Sequence, residues 1–426
     1  MLLVKNGRLL DPASKIDAAM DVLLDGERIA EIAVPGKLDG GRNAEIFDAT
    51  GLIVAPGFID LHAHLREPGQ ENSETIETGT RAAARGGFTA ICCMPNTRPV
   101  NDSASVTRFI LDRAKTAASV RVWPIGAASV QSKGEAIAEI AAMQAAGIVA
   151  VSDDGKPIAT AKLARSVMEY CRSLDLPVIE HAEDVSLAAG AVMREGVTST
   201  RLGLAGMPAA AESVCVARDV QLAELTGARL HIAHLSARAS LDQVRIAKQN
   251  NLRVTCEVTP HHFTLIDEDV QYDSRYKMNP PLAAREDRDA VLAGLADGTV
   301  DAIATDHAPH ESALKDVQFD RAPFGITGFE TALGLALELV HRGTLSLARM
   351  VELFTCGPAR VLGMERKLSA GAPADLTIFS LDEIWTYDVK TSASKSRNSP
   401  FDEREFKGKV AATVVAGKIV YRASGK

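Results

Sequence analysis

At 426 residues the chain can bury a large core, and a single α/β barrel with additions reaches that length without a second independent domain. Hydrophobic residues at 46% and charged residues at 24% are ordinary for a soluble globular protein. The net charge of −8 excludes a general electrostatic attraction to nucleic acid or an anionic membrane, so an anionic ligand has to be held by a few local cations.

Residues 1–55 are strand-like and rich in turns. Strand candidates at 2–4, 21–24, 28–32 and 44–47 are punctuated by Asn6-Gly7, Asp25-Gly26 and Gly40-Gly41, the pattern of a small antiparallel unit. From 56 to 366 the pattern changes to strand–helix alternation. Apolar strand candidates fall at 59–65, 89–94, 120–125, 148–152, 177–179, 230–235, 253–258 and 302–304, most followed by Ala-rich amphipathic stretches such as 135–146, 161–173 and 211–226. Eight strands with intervening helices predict an α/β fold of the (β/α)8 TIM-type barrel class, although a doubly wound sheet alternates similarly. After 367 the texture of the start returns, with strand candidates at 374–379, 410–415 and 418–421 and a hairpin signal at Ala416-Gly417. Neither end has strands enough for a sheet of its own. Residues 1–55 and 367–426 are therefore expected to pair into one small β-sandwich domain beside a barrel of 56–366.

The six cysteines (Cys92, Cys93, Cys171, Cys215, Cys256 and Cys356) form no C-x-x-C pair, which suits a reducing cytoplasm better than a disulfide framework. The N-terminus has no basic start with a long apolar run, and no stretch approaches the roughly 18 apolar residues that span a bilayer. A cytoplasmic location is the expectation.

The unusual residues fall at the predicted strand ends, where a TIM barrel carries its chemistry. The first strand ends Asp60-Leu61-His62-Ala63-His64-Leu65-Arg66, and alternation puts His62, His64 and Arg66 on one face. Two imidazoles at i and i+2 lie about 6–7 Å apart at Cα, close enough to grip one ion. A lone H-x-H is weak, but Asp154 ends the fourth strand, His181 the fifth, His234 the sixth and Asp306 the eighth. Four histidines and two carboxylates so placed point to a metal site. Such nitrogen and oxygen donors favour zinc over manganese, cobalt or iron. A water bound there loses its proton near neutral pH and becomes a strong nucleophile, so the constellation suits hydrolysis. Other histidines are expected elsewhere: His231, three residues before His234, on the opposite face in a packing role; His261 and His262 at the rim; His341 solvated in a late helix. Lys156 shares the face of Asp154 by alternation and is a weak candidate for a bridging ligand. The charged segment 311–321 is a candidate lid, a solvated loop being the other reading.

These residues resemble the amidohydrolase superfamily, and more narrowly the class I dihydroorotases of bacteria. The resemblance runs through PGFIDLHAHLREPGQ (56–70), GGFTAICCMPNT (86–97), SDDG (152–155), HIAHLS (231–236), KMNPPL (277–282), ATDHAPH (304–310) and GAPADLTIFS (371–380). It implies His62 and His64 as ligands of one metal and His181 and His234 of a second, with Asp154 bridging where many superfamily members use a carboxylated lysine. Asp306 is implied as both ligand and catalytic acid/base. The cofactor implied is Zn2+, one or two ions per chain with two favoured. Arg66, Asn96 and His310 correspond to residues that hold the substrate carboxylate, with His64 beside them. Asn279 and the backbone of Phe324 and Gly325 correspond to contacts with the ring or carbamoyl part. An arginine also offers a fixed cationic fork for a carboxylate on physical grounds.

The activity implied is reversible interconversion of N-carbamoyl-L-aspartate and L-dihydroorotate in pyrimidine synthesis, with a metal-activated hydroxide as nucleophile. Hydantoinases, dihydropyrimidinases and allantoinases share the fold and metals but depart at the position of Arg66. A catalytically dead scaffold for aspartate carbamoyltransferase is the rival of a different class, and it would be expected to have lost metal ligands. A homodimer and an association with aspartate carbamoyltransferase are the protein partners that the resemblance leaves open.

Overall fold

The computed structural model describes residues 1–41 and 44–424, so the ends of the expected 1–55 and 367–426 segments are covered except for 42–43 and 425–426. β1 (Leu2–Asp11) pairs antiparallel with β2 (Ile16–Asp25), and β2 with β3 (Arg28–Ala33); β4 (Glu45–Asp48) and β5 (Ile53–Pro56) run parallel to β1. The expected turn at Asn6-Gly7 is instead a bulge inside β1. The ladder slips between Val4 and Gly7, and Asn6 takes a φ of 61°. A Cβ on Gly7 would lie 2.4 Å from Val54, so the close approach of β5 requires glycine there.

Eight parallel strands follow, in the spatial order of the chain: β6 (Phe58–Ala63), β7 (Phe88–Cys93), β8 (Arg121–Gly126), β9 (Ala150–Val151), β10 (Val178–Glu180), then, beyond a two-strand ribbon of β11 (Met193–Arg194) and β12 (Gly206–Met207), β13 (Leu230–Ile232), β14 (Val254–Val258) and β15 (Ala302–Ile303). The barrel closes just past β15: Ala63 bridges His307, and the His64 N–H donates to the His307 carbonyl at 2.8 Å. The helices form as their patterning predicts. In Ala161–Ser173 the Thr160 hydroxyl caps the start, and Leu163, Ala164, Val167, Met168 and Cys171 make one buried face. The helix expected over 135–146 starts only at Ile140, because the residues before it pair back on themselves through a Ser129–Ile137 bridge.

β16 (Leu376–Thr386) returns to pair with β5, followed by β17 (Glu405–Val415) and β18 (Lys418–Arg422), so both chain ends share one continuous eight-stranded sheet. The sheet curls onto itself. Arg28 bridges Pro373, and the Asp25-Gly26 turn packs so closely on Gly417 that a Cβ there would meet the Gly26 carbonyl. Leu9, Val22, Ile29, Val54, Leu376 and Val414 fill the enclosed core.

An aromatic seam joins this sheet to the barrel floor: the Phe58 ring stacks on Phe354 at 5.0 Å and contacts Phe88 and Phe379 at about 6 Å. Each such pair contributes roughly 0.5–1.5 kcal/mol beyond burial of its area. Polar anchors add to it, with Asp375 accepting both Arg121 and Arg366. Inside the barrel, Ile59, Leu61, Ala90, Cys92, Ile125, Ile179 and Ala302 fill the lower layers. Polar side chains begin above them.

Candidate active site

Strand alternation is not what aims the first ligand pair. Asp60 pairs with Ile91 and Ala63 with Cys93, so β6 carries one residue more than β7 over this stretch. Such a bulge re-aims side chains, and the strand then stops at Ala63, before His64 and Arg66. Three site residues hold left-handed backbone: Arg66 at φ 61°, His234 at φ 32° and Asp306 at φ 45°. Each costs on the order of 1–3 kcal/mol for a non-glycine residue, strain that the surrounding barrel imposes at the mouth. The same departure corrects the expectation for His231. β13 ends at Ile232, and His231 lies inside the barrel beneath the cluster, 3.2 Å from Glu257, rather than in an outer packing layer.

The six expected ligands converge. His62 Nε2 lies 3.2 Å from Asp154 Oδ1 and 3.6 Å from Asp306 Oδ1; His64 Nε2 lies 3.1 Å from Asp306 Oδ1 and 3.5 Å from Asp154 Oδ2. His181 Nδ1 and His234 Nε2 are 2.8 Å apart, each 3.7 Å from Asp154 Oδ1. Donors around a tetrahedral ion at about 2.1 Å sit roughly 3.4 Å apart, so these separations fit a divalent cation. The two facing atoms His62 Nε2 and Asp154 Oδ1 are buried, yet neither makes a hydrogen bond. Two overlapping trios, His62 with His64 and Asp306, and His62 with Asp154 and His234, each have donors within 4.8 Å of one another. Electrostatics agree. Burial opposes the charge on Asp154, but His62, His181 and His234 outweigh it and hold the carboxyl well below the usual range. Burial likewise opposes a proton on His181, yet Asp154 and Glu183 raise that imidazole to about 10. Asp154 thus favours positive charge beside it, while burial and the neighbouring imidazoles disfavour a proton on His234. A third trio, Glu180 with Cys215 and Asp219, is filled by the Arg218 guanidinium, which grips Asp219 with two hydrogen bonds.

Residues not expected from the sequence set the orientations of these side chains. Glu257 on β14 is fully buried and accepts from His62 Nδ1 at 3.1 Å, which directs Nε2 to the cluster. Burial opposes its ionisation, but hydrogen bonds from His231 and His62 pull the carboxyl down to about 2. A charged residue inside the apolar run 253–258 was the available signal. Asp60 accepts the backbone N–H groups of His62 and Thr305 at 3.0 Å each, tying the first strand to the eighth. Glu183 accepts from Asn279 Nδ2 at 2.9 Å, which also faces His181 Nε2 at 3.2 Å.

All the expected recognition residues line one cavity of about 340 Å³ with the six ligands: Arg66, Asn96, Asn279, His310, Phe324 and Gly325. Asn96 lies past the end of β7 and its Oδ1 meets His64 Nδ1 at 2.9 Å, so it orients that imidazole as well as facing the pocket. Arg66 Nε donates to the Pro309 carbonyl at 3.1 Å. His310 Nε2 bonds the Phe324 carbonyl at 2.7 Å, and burial beside Arg66 pushes its imidazole down to about 3. At neutral pH it carries no charge, so Arg66 is the cation at this end of the pocket.

His261 and His262 are buried rather than rim residues, His262 bridging Thr259 and the Pro280 carbonyl. His341 is exposed at the end of its helix, and Lys156 is exposed and turned to the Ser132 carbonyl, away from the cluster. Segment 311–321 is neither wholly solvated nor free: Lys315 is buried, and its ammonium donates to the carbonyls of Lys277, Pro323 and Gly325.

A family model described as dihydro-orotase-like matches residues 51–240. Over 419 residues the chain is 56% identical to the dihydroorotase of Solibacter usitatus (strain Ellin6076), covering 98% of this chain and 97% of that protein. It is 50% identical to the dihydroorotase of Desulforapulum autotrophicum, covering 98% of each. Among solved structures, the L-hydantoinase (dihydropyrimidinase) from Arthrobacter aurescens matches with a TM-score of 0.89 at 24% identity, over 99% of this chain and 96% of that one, a likeness of fold.

Proposed function

The chain belongs to the dihydroorotase family, and from that membership we propose how its own residues carry the reaction. The activity is the reversible cyclisation of N-carbamoyl-L-aspartate to L-dihydroorotate and water, a step of pyrimidine synthesis. Within the family our reading is the class I type. His62, His64, His181, His234, Asp154 and Asp306 would hold zinc, two ions by our reading, with Asp154 serving as a ligand to both. Bound divalent ions supply an acidic water and a Lewis acid for the ring amide carbonyl. In ring opening, Asp306 accepts a proton from the attacking water and delivers it to the ring nitrogen as the amide bond breaks. In closure it takes the proton from the attacking nitrogen and gives it to the departing oxygen, which leaves as water. Arg66 pairs with the substrate carboxylate, flanked by Asn96, His64 and His310. Asn279 and the Phe324-Gly325 backbone face the ring.

What supports this reading is one juxtaposition: six ligand-type side chains share a 340 Å³ cavity with a buried arginine. A ring amide and a carboxylate in one small molecule match those two features. The test is metal analysis joined to hydrolysis assays on dihydroorotate, hydantoin, dihydrouracil and allantoin. Turnover of dihydroorotate, about two metal ions per chain and loss of activity on chelation are expected; preference for a substrate without a carboxylate overturns the assignment of Arg66. Glu257→Gln is expected to weaken metal binding about 10–100-fold, because Nδ1 of His62 loses its anionic partner. Competition with a chromogenic chelator measures it, and unchanged affinity would remove Glu257 from the centre.

We further propose a division into 1–55 with 367–426 and 56–366, a cytoplasmic location, and a homodimer. An association with aspartate carbamoyltransferase is checked by co-purification of the two chains. No helix among the described residues is long and apolar enough to cross a membrane.

A further inference from the structure

The wall of the pocket around Arg66 hangs on a residue from near the end of the chain. Asn398 is buried at 4% exposure, and its amide is fully engaged. Nδ2 donates to the carbonyls of Ala308 and Gly325, each at 3.0 Å, and Oδ1 accepts the His310 N–H at 3.1 Å. The Asn398 carbonyl accepts the Thr327 N–H at 3.0 Å. Ala308 and His310 bracket Pro309, whose carbonyl receives Arg66 Nε. One side chain thus pins both flanks of the peptide that orients the guanidinium, together with the turn that walls the pocket.

The segment carrying Asn398 is itself strapped across the barrel mouth. Ser392 and Ala393 bond Glu330, the Ser394 hydroxyl and Lys395 N–H bond Glu74, and the Ser396 hydroxyl donates to the Ser73 carbonyl. Glu74 in turn lies 3.3 Å from His307. The strap therefore spans loops that follow the first and eighth barrel strands, where the barrel closes.

We propose that Asn398 is a positioning residue for substrate binding: it fixes the 308–310 loop and the Gly325 carbonyl, and through Pro309 it sets the direction of the Arg66 guanidinium. This rests on the reading of Arg66 as the carboxylate anchor. Asn398 touches neither the ligand cluster nor the reacting atoms, so its effect falls on binding and not on the chemical step.

The test measures kcat and KM for L-dihydroorotate on metal-loaded Asn398→Ala and Asn398→Asp, with Arg66→Met beside them. The aspartate variant keeps the volume and the acceptor for His310 but turns a carboxylate oxygen on two carbonyls, and it serves if the alanine variant does not fold. Expected is a KM raised about tenfold or more, kcat within about threefold and unchanged metal content. KM within twofold of the wild type in the Asn398 variants, with KM raised in Arg66→Met, overturns the proposal and leaves the anchor standing. Loss of kcat in step with a lowered Tm shows general loosening, and overturns it too. If Arg66→Met itself leaves KM unchanged, the anchor reading has failed and the proposal falls with it.

Discussion

Asp306→Asn is expected to lower kcat for dihydroorotate hydrolysis by about 1,000-fold, with kcat/KM falling to match. The carboxylate stands 3.1 Å from His64 Nε2 and 3.6 Å from His62 Nε2 on a left-handed backbone, at φ 45°. Burial opposes its ionisation, but the charge of His62 and the hydrogen bond from His64 outweigh it and hold it well below the usual carboxylate range. The carboxylate is thus the resting form, ready to take a proton. The asparagine amide has the same shape and still offers an oxygen to an ion, but it can neither take nor return a proton. The variant therefore separates ligation from proton transfer. Elemental analysis should find metal near the wild-type content while turnover is lost. Turnover within tenfold of the wild type, metal retained, would move the acid/base role to another group.

Much of this arrangement was legible in the sequence. The eight barrel strands stood out as apolar runs separated by amphipathic stretches, and each proposed ligand sat where such a run ended. Their convergence follows from closure alone, because neighbouring strand ends of a barrel have one mouth to face. What failed was reasoning by strict alternation. It placed His64 and Arg66 on the face of His62 by counting, whereas the observed path uses a bulge in β6 and a strand that stops at Ala63. It turned His231 outward, whereas His231 and His234 both face inward because β13 ends between them. Asn6-Gly7 carried a turn signal but became a bulge, since β1 continues to pair with β2 beyond it. Asn398 left no signal. It lies in a short polar run without periodicity, and its side-chain partners are 73 to 90 residues away.

Arg66→Met is expected to lower kcat/KM for dihydroorotate by about 100-fold, the size of a lost charge-assisted hydrogen bond of roughly 1.5–3 kcal/mol. The guanidinium is buried at 8% exposure, and among the described residues it forms no ion pair. Burial pulls it down to about 10, a cost that the charges of Asp306, Asp154 and Glu74 offset only in part. A charge held this way weighs against the fold of the ligand-free protein. The methionine variant should accordingly melt no lower than the wild type, and higher where packing is retained. That pairing of weaker substrate affinity with undiminished stability marks a residue kept for binding. Arg66→Lys restores little, because a point charge on a flexible stem cannot match two carboxylate oxygens from the anchored geometry that Pro309 imposes on Nε. Substrate-induced stabilisation gives an independent reading: dihydroorotate should raise the Tm of the wild type and leave that of Arg66→Met nearly unmoved. An equal shift in both proteins would mean that the carboxylate is held elsewhere, and that the buried cation answers only to the carboxylates of Asp306, Asp154 and Glu74.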